Sequence, residues 1–386
     1  MAEKSKKEKK KIPWFVSKGN CDYQILFLSV ALILFGLLMV YSSSSYRAVI
    51  SGKPAYTIVK SQIRAAALGL VAMLILSKMN YRKYQSFGMI AMLGVIALCA
   101  IVLVIGKASG GAVRWIAIGP IQIQPSELAK PAIMIFIAGL CSDHPKWLRD
   151  PYSMYFMMLL PLIAAVLIMT ENLSTAIICI VITLGMIIVA SPNWVELFKT
   201  KLFLLVLLCL PAVFAWAFTG KNSYRWVRIL AWLHPEKYPD DTFQTLQSMY
   251  AIGSGGLFGR GLGQSIQKTG NLPESHNDMI FAIICEELGL VGGLILITAF
   301  VLLILRLMHV MKNTQDVFGG LIMVGLMIQI GVQVLINIGV VTGLIPNTGV
   351  TLPFVSFGGT SLIVTMCEMG MALSISRQQR FEEERL

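Results

Sequence analysis

The sequence predicts an all-α integral membrane protein, a polytopic bundle of about ten transmembrane helices with a large extracellular loop between helices 7 and 8. Two features of composition support this fold class. Of the 386 residues, 56% are hydrophobic and only 13% are charged, against roughly 25% charged in soluble domains. The mean hydropathy is +0.73. A third observation is that the apolar residues form successive runs close to the ~20 residues that cross a bilayer.

Ten apolar runs are long enough to cross the membrane. They lie at about 24–44, 61–77, 84–106, 125–142, 153–170, 173–191, 202–219, 279–305, 317–344 and 354–376. Basic residues concentrate in alternate short loops and after the last run, which favours the cytoplasm for both chain ends. The parity depends on two divisions, at "MTENLST" within 153–195 and at "GLIPNTGVTLP" within 317–367. If either division is wrong, Asp278 lies on the other side of the membrane.

The chain divides into three regions around this membrane domain. Residues 1–22 form a Lys-rich arm without an apolar face, which we expect to be cytoplasmic and to bind anionic lipids. Residues 23–376 form the transmembrane domain, with the extracellular loop at about 220–277, and residues 377–386 form a cytoplasmic tail. The first run is long enough to span the bilayer, so we expect a retained signal anchor.

Cysteine and histidine usage argues against a metal enzyme that relies on these two ligands. The seven cysteines lie singly, mostly inside apolar runs, and no CxxC spacing occurs. None of the four histidines has zinc-ligand spacing relative to another. The cysteines are therefore interpreted as small hydrophobic residues of the membrane domain, and no metal site is predicted.

Cations are frequent in the segments predicted to lie outside, against the usual inside bias. Lys60, Arg64 and Arg114 flank apolar spans, which favours an anionic ligand at the outer leaflet because Arg and Lys pair well with phosphate. The long loop adds Lys221, Arg225, Arg228, Lys237, Arg260 and Lys268. For this loop the alternative is equally open, because long loops translocate regardless of their charge.

Ionisable residues within spans cost roughly 2.5–3.5 kcal/mol each to insert, so they are candidates for function. Glu127 and Lys130 lie three apart on one helical face. They could simply neutralise each other, or they could face a polar cavity in which Lys130 meets an anionic headgroup. Glu286 lies about two helical turns beyond Asp278, whereas Glu287 is turned away, and one of these two could serve only the fold.

The segment "NLPESHNDMIFAIICEELG" places Asp278 where an apolar helix begins. One interpretation is a helix cap, because a carboxylate at a helix N-terminus is stabilised by backbone N–H groups and the dipole. The other is a general base open to the outer compartment. Both roles suit an aspartate, and the residues alone leave the choice open.

Three ordered motifs resemble one family. They are "GGAVRWIAIGPIQIQPSELAK", "QSMYAIGSGGLFGRGLGQSIQKTGNLPESHNDMIFAIICEELG" and "NIGVVTGLIPNTGVTLPFVSFGGTSL". The sequence is similar to the SEDS family of shape, elongation, division and sporulation proteins, which includes RodA, FtsW and SpoVE. The resemblance covers nearly the whole chain beyond the basic arm and is closer to the FtsW and SpoVE branch than to RodA.

The resemblance implies a peptidoglycan glycosyltransferase that polymerises lipid II, the undecaprenyl-pyrophosphate-linked disaccharide peptide, at the outer face of the bacterial cytoplasmic membrane. It implies a class B penicillin-binding protein transpeptidase and other divisome proteins as partners. The family's catalytic aspartate corresponds to Asp278, and its important charged positions correspond to Arg114, Glu127 and Lys130. Asn172 departs from the family pattern, because an aspartate is frequent at this position. A role for a second carboxylate there is therefore in doubt.

The reaction that the resemblance implies suggests a role for each charged residue. An ionised Asp278 would take the proton of the attacking sugar hydroxyl, while Arg114, Lys130 and either Lys60 or Arg64 would hold the pyrophosphate. Two further residues of the same segment, Glu274 and His276, would position Asp278 or the sugar, or would make only loop hydrogen bonds.

The expected partners and cofactors follow from the same assignment. The sequence requires no cofactor and leaves open whether a divalent cation assists. We expect no nucleic-acid partner. The glycine-rich "SGGLFGRGLG" is interpreted as a close-turning loop, because no Lys-Ser/Thr follows it as in nucleotide-binding loops.

Two other functional classes use the same sequence features differently. A lipid II flippase would use the intramembrane charges to pass the precursor across the bilayer. A non-catalytic division scaffold would need neither Asp278 nor Arg114 nor Lys130. Within the family, a RodA-like elongation polymerase is the alternative to a division or sporulation enzyme.

Overall fold

The fold is a bundle of membrane-spanning helices. The structure, a computed structural model, describes residues 14–15, 21–50, 52, 54–105, 107–109, 112–118, 121–201, 223–269 and 272–383. Its helices are α1 Tyr23–Ile50, α2 Thr57–Lys78, α3 Arg82–Gln85, α4 Gly88–Ile105, α5 Pro125–Asp143, α6 Pro151–Glu171, α7 Leu173–Ala190, α8 Trp194–Lys199, α9 Ser223–Leu233, α10 Pro239–Gly255, α11 Ile280–Lys312, α12 Val317–Val341 and α13 Gly359–Glu383. The predicted polytopic helical fold is confirmed.

Nine of the ten predicted spans coincide with a helix. Within the described ranges, seven helices are long and apolar enough to cross a membrane, and α4 is a shorter apolar helix. The ninth, α5, begins with a polar turn that contains Glu127 and Lys130. The remaining span, 202–219, falls outside the described residues, so the count of ten stays a prediction.

The helix ends follow from local sequence signals. Asn172 separates α6 from α7 within "MTENLST", and its side chain accepts a hydrogen bond from the Thr175 N–H. Asp316 caps α12 in the same way by accepting from the Gly319 N–H. Such caps satisfy backbone donors that have no partner inside the helix. The second predicted division is also present, because α12 ends at Val341 and α13 begins at Gly359.

The outward faces of the helices are apolar. Phe27 and Leu34 on α1, Ile90 on α4 and Phe156 on α6 are each more than 60% exposed in the isolated chain. Large apolar side chains on a helix surface are expected where the surrounding solvent is lipid, because hydrocarbon does not penalise them. In the interior, α2 packs along α13, and α5 contacts α4, α7 and α12.

A three-stranded antiparallel sheet lies between α4 and α5. Its strands are β1 Lys107–Ser109, β2 Ala112–Ile118 and β3 Ile121–Ile123, in the order β1-β2-β3. Lys107 pairs with Trp115, and Ile116 pairs with Ile123. The sequence analysis did not predict these strands. The β-branched and aromatic residues of β2, with "GG" before it and "GP" after it, fit a pleated hairpin.

The predicted loop at about 220–277 contains regular structure. In its described part, α9 and α10 are joined by a 3₁₀ turn at Pro235–Lys237, and a second 3₁₀ turn lies at Gln267–Thr269. Proline opens α10 at its first position, where its missing N–H costs nothing. The segment is therefore a folded cap on one end of the bundle, and it brings side chains of α9 and α10 to the turn before α11.

Helix α11 is broken at Gly289, which has φ 72° and ψ −175°. In a continuous helix the Leu290 and Val291 N–H groups would donate to the Glu286 and Glu287 carbonyls. Instead, the segment 256–261 inserts between these groups. The Arg260 and Gly261 N–H groups donate to the Glu286 and Glu287 carbonyls at 2.9 Å, and the Leu290 and Val291 N–H groups donate to the Gly256 and Leu257 carbonyls at 2.9 and 3.1 Å.

This inserted segment explains the glycine-rich "SGGLFGRGLG" as a packing device. Each hydrogen-bonding group freed by the break is satisfied by the segment, as a kink inside a membrane helix requires. The backbones approach so closely that a Cβ added at Gly255 would clash with the Cys285 carbonyl oxygen. The predicted close-turning loop is present, and its partner is the broken helix.

Replacing Gly255 with alanine tests this close approach. We expect Gly255→Ala to lower stability by on the order of 1–3 kcal/mol, because the backbone of Cys285 cannot move aside without disturbing α11. Gly253→Ala in the same helix is the matched control, because a Cβ there meets nothing within 4 Å. Thermal unfolding in detergent should show a lower melting temperature only for Gly255→Ala. Equal melting temperatures would contradict the inserted-segment account.

Candidate active site

Asp278 lies in the turn 272–279, immediately before α11 and outside its membrane-spanning part. Met279 occupies the N-cap position, and no side chain caps this helix. Asp278 is therefore not the N-cap residue of α11, although backbone N–H groups at the helix start act on its carboxyl. The Asp278 backbone carbonyl accepts a hydrogen bond of 2.7 Å from the Asn337 side-chain amide, which also donates to the Val350 carbonyl at 2.8 Å. One amide at the end of α12 thus fixes the turn against the loop that follows.

That loop, residues 342–358, is held over the turn by further hydrogen bonds. The Phe357 N–H donates to the His276 carbonyl at 2.9 Å. Ser174, at the start of α7, donates to the Thr348 carbonyl at 3.0 Å. From α2, the Gln62 side chain donates to the Ser356 carbonyl at 3.1 Å and accepts from the Gly358 N–H at 3.1 Å. The site is therefore assembled from α2, α7 and α12 around two loop segments.

The Asp278 carboxyl is buried against the loop 342–358. Its Oδ1 is buried and has no hydrogen-bond partner in the described part of the chain. Its Oδ2 lies beside Gly349, where an added Cβ would come within 3.7 Å of it. Burial, and then the negative charge of Glu274, raise the pKa of Asp278 to about 7, against the lowering effects of nearby backbone N–H groups and the Arg228 cation. A carboxyl that titrates near neutral pH suits a general base.

Glu274 and His276, the two further residues predicted from this segment, share the turn with Asp278. Glu274 has a positive φ of 52°, and its carboxylate accepts a hydrogen bond from the Asn277 side-chain amide. His276 is 7% exposed, with its ring centroid 5.5 Å from that of Phe357. Both residues shape the turn, and their contact with a sugar stays a prediction.

Helices α9 and α10 of the folded cap form one side of the site. The Arg228 guanidinium donates to the Asn347 carbonyl at 3.4 Å. The Asn347 amide donates to the Gln244 side-chain oxygen at 2.9 Å, and the Gln244 amide donates to the Pro273 carbonyl at 3.3 Å. Arg228 therefore lies next to both loops that surround Asp278.

The other predicted cations lie on α2 and β2. Lys60 and Arg64 are exposed on the first turns of α2, on either side of Gln62. Arg114 lies in β2, and its side chain falls outside the described residues. Roles in substrate binding therefore stay predictions for all three residues.

Lys130 and Glu127 form a buried pair inside the bundle. The Lys130 Nζ lies 2.8 Å from a Glu127 carboxylate oxygen, and Lys130 is fully buried. Glu368 on α13 is also fully buried, acts electrostatically on Lys130, and accepts a hydrogen bond of 2.7 Å from the Gln329 amide on α12. The sequence analysis missed Glu368, although it is the only carboxylate in the predicted span 354–376.

Glu286 and Glu287 are both buried and both hold the segment 265–269. Glu286 accepts hydrogen bonds from the Ser265 hydroxyl and from the Ile266 N–H at 2.9 Å. Glu287 lies 2.8 Å from the Lys268 Nζ and accepts from the Ser42 hydroxyl at 2.7 Å. A groove of about 700 Å³ between α1 and residues 262–269 is lined in part by this cluster. The sequence analysis left a supporting role open for one glutamate, and the structure gives it to both.

Metal ligands do not cluster among the residues that the structure covers. No group of three or more His, Cys, Asp or Glu side chains in the described ranges could hold a metal ion. Asn172, which departs from the family pattern, serves as the cap of α7. The chemistry visible at this site is that of a near-neutral carboxyl with a cation beside it.

Known proteins are similar to this one over nearly the whole chain. The family model described as "Cell cycle protein", covering FtsW, RodA and SpoVE, matches residues 23–381. A probable peptidoglycan glycosyltransferase FtsW from Geobacter metallireducens is 36% identical over 365 residues, which is 93% of this chain and 95% of that protein. The stage V sporulation protein E of Bacillus subtilis is 35% identical over 375 residues, 94% of this chain and 99% of that protein.

Solved structures agree with the sequence relatives. A chain from a peptidoglycan synthase complex that coordinates polymerization and crosslinking has a TM-score of 0.74 at 26% identity, covering 93% of this chain and 98% of that chain. The crystal structure of the rod shape determining protein RodA from Thermus thermophilus has a TM-score of 0.68 at 26% identity, covering 93% and 97%. The chain described here therefore belongs to the FtsW, RodA and SpoVE family of cell cycle proteins.

Proposed function

We propose that this protein is a peptidoglycan glycosyltransferase that polymerises lipid II at the outer face of the bacterial cytoplasmic membrane, with Asp278 as the general base. The observation that carries the proposal is the Asp278 carboxyl itself. It is buried, its pKa is raised to about 7, and its Oδ2 lies beside Gly349. A reaction at the outer face requires the folded cap to lie outside and both chain ends to lie in the cytoplasm.

The relatives support the reaction class and suggest the cellular process. The Geobacter protein is named a probable peptidoglycan glycosyltransferase FtsW, and the Bacillus protein is named for stage V of sporulation. Both are more similar in sequence than the RodA structure, which is 26% identical. We therefore propose a role in division or sporulation rather than in elongation.

The proposed reaction is a single displacement at the anomeric carbon of the donor sugar. The acceptor hydroxyl oxygen forms the new bond to this carbon, and its proton passes to Asp278. The bond between the carbon and the lipid-linked diphosphate breaks, and its electron pair leaves with the diphosphate. One displacement inverts an α-linked donor to a β-linked glycan. A base placed within hydrogen-bond reach contributes about 10²- to 10⁴-fold to such a step.

Cations are needed where charge develops on the leaving diphosphate. Arg114, Lys60 and Arg64 remain our candidates from the sequence. Lys130 was a fourth candidate, but its buried pairing with Glu127 at 2.8 Å favours mutual neutralisation over direct contact with the headgroup. Its contribution would then be to the shape of the bundle beneath the site.

The partner proposed for this polymerase is a class B penicillin-binding protein transpeptidase, together with other divisome proteins. The similar solved chain comes from a complex that coordinates polymerization and crosslinking, which supports such a pairing. The Lys-rich residues 1–22 would add contacts to anionic lipids at the cytoplasmic face.

Asp278→Asn tests the base. The variant keeps the size of the side chain but cannot accept the proton, so we expect glycan synthesis from labelled lipid II to fall by about 10²-fold or more. Asp240→Asn, an exposed aspartate at the start of α10, is the matched control and should leave the rate unchanged. The assay uses the protein purified with its transpeptidase partner.

The same preparation separates the alternatives. Headgroup crossing in liposomes without polymer would favour the flippase, and neither activity in an intact complex would favour the scaffold. Full polymerisation by Asp278→Asn would remove the base assignment.

The pH dependence of the rate gives a second test. A base acts in its ionised form, so activity should rise through about pH 7 and be lost below it, because the raised pKa keeps Asp278 protonated in mild acid. Initial rates of glycan synthesis between pH 5 and pH 9 would show this limb, and Asp240→Asn should share it. A limb near pH 4, the ordinary range of aspartate, would show that the buried carboxyl does not control the rate.

A further inference from the structure

Arg228 differs from the other cations of the folded cap in what lies beside it. Its guanidinium donates to the Asn347 carbonyl at 3.4 Å. Two residues further on, Gly349 lies against Asp278 Oδ2, where an added Cβ would approach to 3.7 Å. Arg228 and the Asp278 carboxyl therefore contact the same loop, 342–358, at positions two residues apart.

Two charged groups act on Asp278 within the described part of the chain, Glu274 in the turn and Arg228 on α9. The loop 342–358 that covers the turn contains no titratable residue, and α12 and α7 contribute the neutral Asn337 and Ser174. Arg228 is thus the cation that faces the reacting carboxyl.

Helix α9 also has the features of a helix at the membrane interface, where the headgroup of a lipid-linked substrate lies. Tyr224, Trp226, Trp232 and Leu233 are each 39–54% exposed on this helix. Exposed aromatic side chains on an amphipathic helix are typical of the membrane interface. The Trp232 indole N–H donates to the Gly343 carbonyl at 2.9 Å, which fixes the helix against the same loop. Arg228 is therefore presented at headgroup depth.

The Arg228 guanidinium is positioned by its neighbours and still has N–H groups that can donate to a ligand. Its carbon lies 5.6 Å from the Tyr224 ring centroid, within cation–π range. Arginine carries five N–H donors in a planar fork that matches phosphate oxygens. The contact to Asn347 uses one nitrogen at a long distance, so the fork can take up an anionic oxygen without breaking a short bond.

We propose that Arg228 binds the diphosphate of the polyprenyl-linked donor, beside Asp278, and is a substrate-binding residue of this site. The inference rests on the proposed function and deepens it by naming the residue that grips the leaving group. It differs from Arg225 of the same helix, which donates to the Met169 and Thr170 carbonyls at 2.7 and 2.9 Å and fastens α9 to the end of α6.

Arg228→Gln and Arg228→Lys test this role, with Lys237→Gln as the matched control. Lys237 is an exposed cation of the same cap. We expect Arg228→Gln to lower kcat/KM for lipid II by about 10- to 100-fold and to raise by a similar factor the undecaprenyl diphosphate concentration that half-inhibits synthesis. Arg228→Lys should recover part of both losses, and Lys237→Gln should match the wild type.

The pH profile separates a binding role from a structural one. Because the Arg228 cation lowers the pKa of Asp278, its removal should move the acidic limb of the rate to higher pH. Inorganic pyrophosphate as a second inhibitor distinguishes the sources. If pyrophosphate also inhibits the wild type more strongly than Arg228→Gln, the diphosphate alone is recognised. If only the lipid-linked form shows this difference, the prenyl chain contributes to binding. Either result supports the proposal.

Three results would overturn the inference. The first is a variant Arg228→Gln that behaves like Lys237→Gln. The second is a loss of activity with unchanged inhibition by undecaprenyl diphosphate and an unmoved pH limb. The third is weaker binding only to phosphatidylglycerol vesicles, which would make Arg228 a headgroup anchor.

Two controls keep the test decisive. If Arg228→Gln lowers the melting temperature, Arg228→Lys decides, because it keeps the charge, and the absence of any recovery overturns the proposal. A wild type that makes no glycan would sink the proposed function instead. Direct binding of undecaprenyl diphosphate, followed by tryptophan fluorescence, would still test Arg228.

Discussion

The structure depends on the hydrogen bonds that side chains make to the backbone around the Asp278 carboxyl, at one end of the helix bundle. The Asn337 amide joins the Asp278 and Val350 carbonyls, and Gln62 and Ser174 complete the loop above them. Unpaired backbone groups are costly where water is scarce. Within this bonded framework, the Asp278 Oδ1 is buried and has no hydrogen-bond partner among the described residues. A scaffold of this kind can hold a base at raised pKa without losing its shape.

The other buried charges, unlike Asp278, are paired with neighbouring side chains. Lys130 pairs with Glu127 at 2.8 Å and is acted on electrostatically by Glu368, and Lys268 contacts both Glu287 and Ser42. Removing one member of such a pair leaves an uncompensated buried charge, which is why the pairs hold helices and loops in place. These clusters support the fold, whereas Asp278 and the cation of α9 are the groups proposed to meet the substrate.

Much of the fold could be predicted because the membrane imposes simple rules. Apolar runs of spanning length located nine helices, and the "MTENLST" turn was predicted because its polar residues interrupt an apolar stretch. The break at Gly289 could not be predicted, since it exists through hydrogen bonds to residues about 30 positions earlier. Glu368 was missed because a lone carboxylate in an apolar run shows its meaning only when Lys130 is found beside it. For the site, the sequence pointed to Asp278, but the arginine that faces it became distinguishable only once α9 was placed.

The central claim is that the Asp278 carboxyl receives the proton of the attacking sugar. The most direct measurement is a structure, by cryo-electron microscopy, of the Asp278→Asn variant with its transpeptidase partner and lipid II bound. The account predicts an acceptor hydroxyl within about 2.6–3.2 Å of the side chain at position 278, with the donor diphosphate on the side of α9. Sugars bound at the opposite end of the bundle, or separated from this side chain by the loop 342–358, would contradict it.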